Sequence, residues 1–130
     1  MPCRGGDDQT IADEDPLWRR INPMWVVRDA TGVRVSSAAF QDSPDGSPMS
    51  ITLGRECGSH EQAIGSHHGY GLASVTAGKA REQRQVVCRD PQPEEPAHAL
   101  VEGQKTGAVK KALARAAVLL VEPAQLGVGT

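Results

Sequence analysis

The sequence predicts an α+β domain, a mostly antiparallel sheet of short strands packed by a C-terminal amphipathic helix. Three observations predict it. Short segments that alternate polar and apolar residues recur between turn-forming residues. One stretch near the C-terminus has apolar residues at helical spacing. The chain has 130 residues, a length that suits one domain. Its only aromatics are Trp18, Trp25, Phe40 and Tyr70, so the core must be built mainly from Val, Leu, Ile and Ala.

The elements follow in order. Residues 1–15 hold five acids (Asp7, Asp8, Asp13, Glu14, Asp15) against Arg4, and read as a disordered acidic arm. Residues 16–122 form the single domain, and residues 123–130 a flexible tail. Residues 17–21 read as a strand stopped by Asn22 and Pro23. Residues 25–28 and 33–36 read as strands joined by a turn over 29–32, with Gly32 suited to positive φ. The prolines and serines of 42–48 mark an exposed loop. In 49–53, Met49, Ile51 and Leu53 share one face, as in a half-buried strand. Ser59 with Gln62 three residues on resembles a capping box for a short helix. Residues 70–75 read as a strand, and 76–83 as a helix capped by Thr76. Residues 85–88 form a further strand, followed by a proline-rich connection over 90–96 and a strand over 98–102. In the last element Val109, Ala112, Leu113, Ala116 and Leu120 share a helical face, with Thr106 as N-cap and Pro123 as terminator.

Composition narrows function. The formal net charge is −2, which argues against a dedicated nucleic-acid binder. No run of about eighteen apolar residues is present, so no membrane helix is expected. The N-terminus lacks the apolar core of a secretory signal, which makes a cytoplasmic location the expectation. Three cysteines, Cys3, Cys57 and Cys88, do not form a disulfide framework and are expected to be reduced thiols.

Two constellations carry candidate chemistry. Cys57, His60, His67, His68 and Cys88 supply thiolate and imidazole, the ligands zinc prefers, and the two-residue gap from Cys57 to His60 lets one turn present both. Arg19, Arg20, Lys105 and Lys111 form a candidate anion site. The reasoning is that a C-terminal helix packed on the early strands brings its basic flank, with Lys110 and Arg115, toward Arg28 and Arg34, where a phosphate or nucleotide could sit. No Walker-type loop, dinucleotide fingerprint or nucleophile elbow accompanies these residues.

The segments LWRRI at 17–21, SSAAF at 36–40, DGSPMS at 45–50, TAG at 76–78, RDP at 89–91 and PAHAL at 96–100 together resemble a set of small uncharacterised bacterial proteins. The resemblance spans residues 17 to about 120 and implies a free-standing domain without implying a reaction. With no catalytic motif in its required context, the expected function is that of a small accessory or interaction protein. It would act through a protein partner or as a homo-oligomer, using the 36–48 loop, the 91–96 loop and the acidic arm as exposed surface. The alternatives are a metal-binding protein or enzyme built on the Cys57 cluster, and a phosphate-binding domain.

Overall fold

The computed structural model describes residues 3–125. The strands are β1 (Pro16–Ile21), β2 (Val26–Asp29), β3 (Gly32–Val35), β4 (Met49–Leu53), β5 (Gly71–Thr76), β6 (Val86–Arg89), β7 (His98–Glu102) and β8 (Val118–Val121). The helices are α1 (His60–Ile64), α2 (Ala77–Glu82) and α3 (Gly107–Ala116). Six strands form one sheet in the order β6-β7-β4-β1-β5-β8, with every neighbouring pair antiparallel. Strands β2 and β3 form a separate hairpin. This is the α+β architecture expected from the sequence.

Alternation along the strands sorts the two faces of the sheet. Leu17, Leu53 and Val75 stand opposite one another across β1, β4 and β5, and Met49 opposes Val101. These residues are buried in one cluster with Val87, with Ala77 and Ala80 of α2, and with Leu113 of α3. Phe40 and Ala39, beside the 3-10 turn Ser37–Ala39, fill the same core. Trp18, Thr52, His98 and Ser74 line up across the opposite, more polar face.

The caps work as the sequence suggests. Ser59 accepts from the Gln62 amide at 3.0 Å, and Thr76 and Thr106 accept from the Lys79 and Val109 amides, each at 3.2 Å. Each bond satisfies one orphan donor of a first helical turn. Gly32 has φ +126°, in the left-handed region, as the tight β2–β3 turn requires.

Four expectations are corrected. Helix α3 ends at Ala116, and Leu120 lies instead in β8, paired with β5. The run Val118–Val121 is short and bounded by two valines, and as a strand it also pairs the flank of β5, which a further helical turn would leave open. The second correction concerns the acidic arm, which is packed from Cys3 onward. Cys3 and Cys88 form a disulfide with Cα atoms 5.7 Å apart, so neither is a reduced thiol. The Asp8 amide donates to Val87 O at 2.8 Å, and the Val87 amide donates to Asp7 Oδ1 at 3.0 Å. Ile11, 1% exposed, lies in the main core. The arm thus crosses the β6 edge, with Cys3 against Leu100 on one face and Ile11 in the core on the other. Asp7 and Asp13 pair with Arg81, Asp8 with Arg89 and Asp15 with Arg55, which favours ordering despite the number of acids.

The third correction is that residues 36–40 are not an exposed loop, since Ala39 and Phe40 are fully buried beneath α3. The fourth concerns the tail. Pro123 is buried, its carbonyl accepts from Arg28 Nη2 at 3.0 Å, and the Ala124 amide donates to Gly69 O at 2.7 Å. The rest of the expected tail, from residue 126, lies outside the described residues. No helix of the described residues is long and apolar enough to cross a membrane.

Candidate functional site

The proposed metal ligands do not converge. Cys88 is consumed by the bond to Cys3. Cys57, a free thiol, donates to Ser59 O at 3.4 Å. His60 opens α1 and packs edge-on against Trp18, with ring centroids 4.9 Å apart. His67 packs against Tyr70 at 5.1 Å, and His68 is exposed. Among the described residues, no three His, Cys, Asp or Glu side chains are placed to hold one metal ion. The linear Cys57 to His68 spacing therefore does not become a coordination shell, because Gly65 ends α1 and a turn carries His67 away from Cys57.

The four proposed anion-binding residues also part company. Arg19 lies in the core layer over Trp25, 5.3 Å from the ring centroid, and donates to the carbonyls of Ala39, Ser50 and Gln41. Burial, helped by the neighbouring Arg20 and opposed by Asp42, brings its guanidinium down to about 10. Arg20 pairs with Glu95 and donates to Ala63 O, tying the 91–96 connection and α1 to the polar face. The ammonium of Lys105 is used within the fold by Asp42, Val101 O and Gly103 O. These three side chains hold loops in place.

Lys111 has a different setting. It lines a groove of about 340 Å³ with Arg34, Arg115 and the apolar side chains of Val33, Val35, Ala114, Ala117 and Leu119. Three elements build it. Strand β3 contributes Val33 and Val35, with Arg34 between them also lining the groove. Helix α3 contributes its last turn, where basic side chains are favoured by the helix dipole. The turn into β8 contributes Ala117 and Leu119. The hairpin is held there by Arg28, which bonds Pro123 O and faces Glu122 at 3.7 Å, and by the Ser36 amide on Trp25 O at 2.8 Å.

The groove has an apolar floor and a basic rim. Arg34 is engaged by Asp29 at 2.6 Å, and the hydroxyl and amide of Thr31, then Arg34 itself, hold the Asp29 carboxyl at about 2. Lys111 and Arg115 form no ion pair among the described residues, and α3 contains no acid. Arg34 lines the same groove as Lys111 and Arg115, at the C-terminal end of α3. Ala117 and Leu119 were not legible as floor residues, since reading α3 through Leu120 hides the turn that presents them.

The polar face of the sheet holds a smaller recess of about 30 Å³, lined by Trp18, Arg20, Ser50, Thr52 and His98, room for about one water molecule. His98 Nδ1 lies 3.0 Å from both Asp90 O and Asp90 Oδ2, the setting of a structural histidine that fixes the 90–97 connection. No family model matches the chain, and no curated protein or solved structure matches it either.

Proposed function

We propose that this protein is a small partner-binding protein whose groove between β3, α3 and β8 takes an apolar protein segment bearing carboxylates. One observation carries the reading: an apolar floor is rimmed by two cations, Lys111 and Arg115, that have no acidic partner among the described residues. At about 340 Å³ the groove suits one or two side chains of a partner segment. Apolar contact supplies the attraction, while the rim selects acidic over basic partners and speeds encounter. The like-charged Lys111 and Arg115, four residues apart on one helix, repel each other mildly, and a bound carboxylate relieves that cost. Leu119 is the β8 residue that faces the groove, while Val118 and Leu120 alternate to the opposite face of the sheet. The likeness to small bacterial proteins belongs to this reading, and it adds no reaction. The cellular setting turns on Cys3 and Cys88, since oxidising surroundings keep such a pair closed and a cytoplasm tends to open it.

The test uses two fluorescent peptides of equal length, one alternating leucine with glutamate and one alternating leucine with lysine. The acidic peptide should bind saturably, and the double variant Lys111→Glu, Arg115→Glu should lose at least about tenfold in affinity, as for removal of charged contacts. Equal binding of both peptides, or no effect of the double variant, refutes the reading.

A further inference from the structure

Residues 3–8 occupy the β6 edge in the manner of a bound acidic peptide. Val87 offers its amide to Asp7 Oδ1 and its carbonyl to the Asp8 amide, the two backbone groups an added strand would use. Two arginines flank that edge. Arg81 contacts the Asp7 carboxylate at 3.1 Å and donates to Asp8 O at 3.0 Å, and Arg89 Nε lies 3.2 Å from Asp8 Oδ2. The edge therefore holds two consecutive carboxylates between two arginines, on a segment that turns at residues 3–6 and again at 8–11.

The same segment is thinly packed between two anchors. Ile11 fixes its C-terminal end in the core, and Cys3 fixes its start through Cys88. Between them, Gly5 and Gly6 have open space where a Cβ would stand, and a cleft of about 470 Å³ lies along residues 3–9 and Cys88 to Arg89. Release of the strap uncovers unpaired strand groups of β6 and frees one donor face of each arginine, Arg81 keeping Asp13 and Arg89 keeping Glu56.

We propose that residues 3–8 are a disulfide-latched strap over an acidic-peptide site on the β6 edge, and that reduction of Cys3–Cys88 opens this site to a segment of a partner protein with two consecutive carboxylates. The reductant is a dithiol. Its two thiols give two electrons and two protons, closing into their own disulfide, while the Cys3–Cys88 bond breaks to two thiols. Ile11 stays buried, so the fold persists and only the strap is released. The site is separate from the groove beside α3 and does not depend on it.

Amide exchange on the full chain tests the latch, before and after treatment with dithiothreitol. The Val87 amide should exchange at least about tenfold faster after reduction, while amides of β1 and β4 keep their protection, as expected of local opening. The probe for the site is an acetylated peptide of residues 4–10, titrated into the full chain carrying Cys3→Ser, Asp7→Asn and Asp8→Asn, whose own strap no longer competes. It should bind saturably, bind at least about tenfold more weakly when its two aspartates are asparagines, and fail to bind the oxidised native chain. Should that variant fail to fold, Cys3→Ser alone must reproduce the faster Val87 exchange. Unchanged Val87 protection after reduction, equal acceleration throughout the sheet, or indifference to the peptide's aspartates overturns the proposal.

Discussion

Lys105 Nζ lies 2.8 Å from Asp42 Oδ1 in a position where the lysine side chain is 4% exposed. The carbonyls of Val101 and Gly103, at 3.0 and 3.1 Å, take its other donors. The ammonium thus ties the connection between β7 and α3 to the residues that lead into β4, where Asp42 also accepts from the Met49 amide at 3.2 Å. Asp42→Asn removes the countercharge of a buried ammonium and keeps the shape. We expect a loss of about 1–3 kcal/mol, read as a lower urea midpoint with an unchanged slope. A shift within a few tenths of a kcal/mol would mean that the two carbonyls satisfy Lys105 alone.

The Cys3–Cys88 bond closes a loop of 85 residues in sequence. Loop entropy alone sets an upper limit of about 4–5 kcal/mol for such a closure. Ile11 and the arm's ion pairs already restrain the chain, so reduction should cost less, about 2–4 kcal/mol. Denaturant titrations with and without reductant measure it. Alkylation of the unfolded chain, followed by mass spectrometry, should label Cys57 alone before reduction and all three cysteines after it. Three labels without reductant would show the pair open.

Much of the sheet was legible because its signals are local. Met49 to Leu53 alternates cleanly, and the caps Ser59, Thr76 and Thr106 each sit three residues before the amide they receive. What failed depends on partners distant in sequence. Val118 to Val121 satisfies a helical pattern and a strand pattern alike, and only the free flank of β5 decides between them. The arm reads as disordered until Arg81 is seen to face it from 68 and 74 residues away, and Arg89 from further still. The candidate sites failed for the same reason. Cys57 and Cys88 look alike in sequence, but Cys88 alternates with buried Val87 and so faces Cys3.

Arg84 sits at φ 61°, in the left-handed region. The Gln85 amide donates to Ala80 O at 3.1 Å and the Arg84 amide to Arg81 O at 2.9 Å, a Schellman end to α2 at whose central position glycine is usual. Arg84→Gly should therefore stabilise the chain by about 0.5–1 kcal/mol. A matched control, Arg84→Ala, retains the strain and should not. Thermal unfolding of the pair decides, and equal melting temperatures would assign the effect to the arginine's charge.

The Asp8 carboxyl lies below its usual 3.8, held there chiefly by the hydroxyl and amide of Thr10, with Arg89 and Arg81 adding to the effect. A depressed folded value means that ionised Asp8 stabilises the fold above the unfolded value, and that this contribution fades as pH falls through the folded one. Asp8→Asn should lower the melting temperature at pH 7, and the gap to the native chain should close as acidification protonates Asp8 in the folded state. A gap that stays constant on acidification would show that the arm depends on Asp8 for hydrogen bonding and not for charge.

Lys111 and Arg115 give a case in which stability and binding should move in opposite directions. They are like charges at i and i+4 on α3, and that spacing costs a few tenths of a kcal/mol. Lys111→Glu converts the repulsion into an attraction in the favourable order, acid before base, and should stabilise the chain by about 0.5–1 kcal/mol. For a domain of this size that corresponds to a rise of about 2–4 °C in melting temperature. The same change puts a carboxylate on the groove rim, so affinity for the leucine–glutamate peptide should fall even though the fold is firmer. A residue that served only to support α3 would show the opposite, with higher stability and undiminished binding. Melting and peptide titration on one preparation separate the two outcomes, and retained affinity in the stabilised variant would remove Lys111 from the recognition surface.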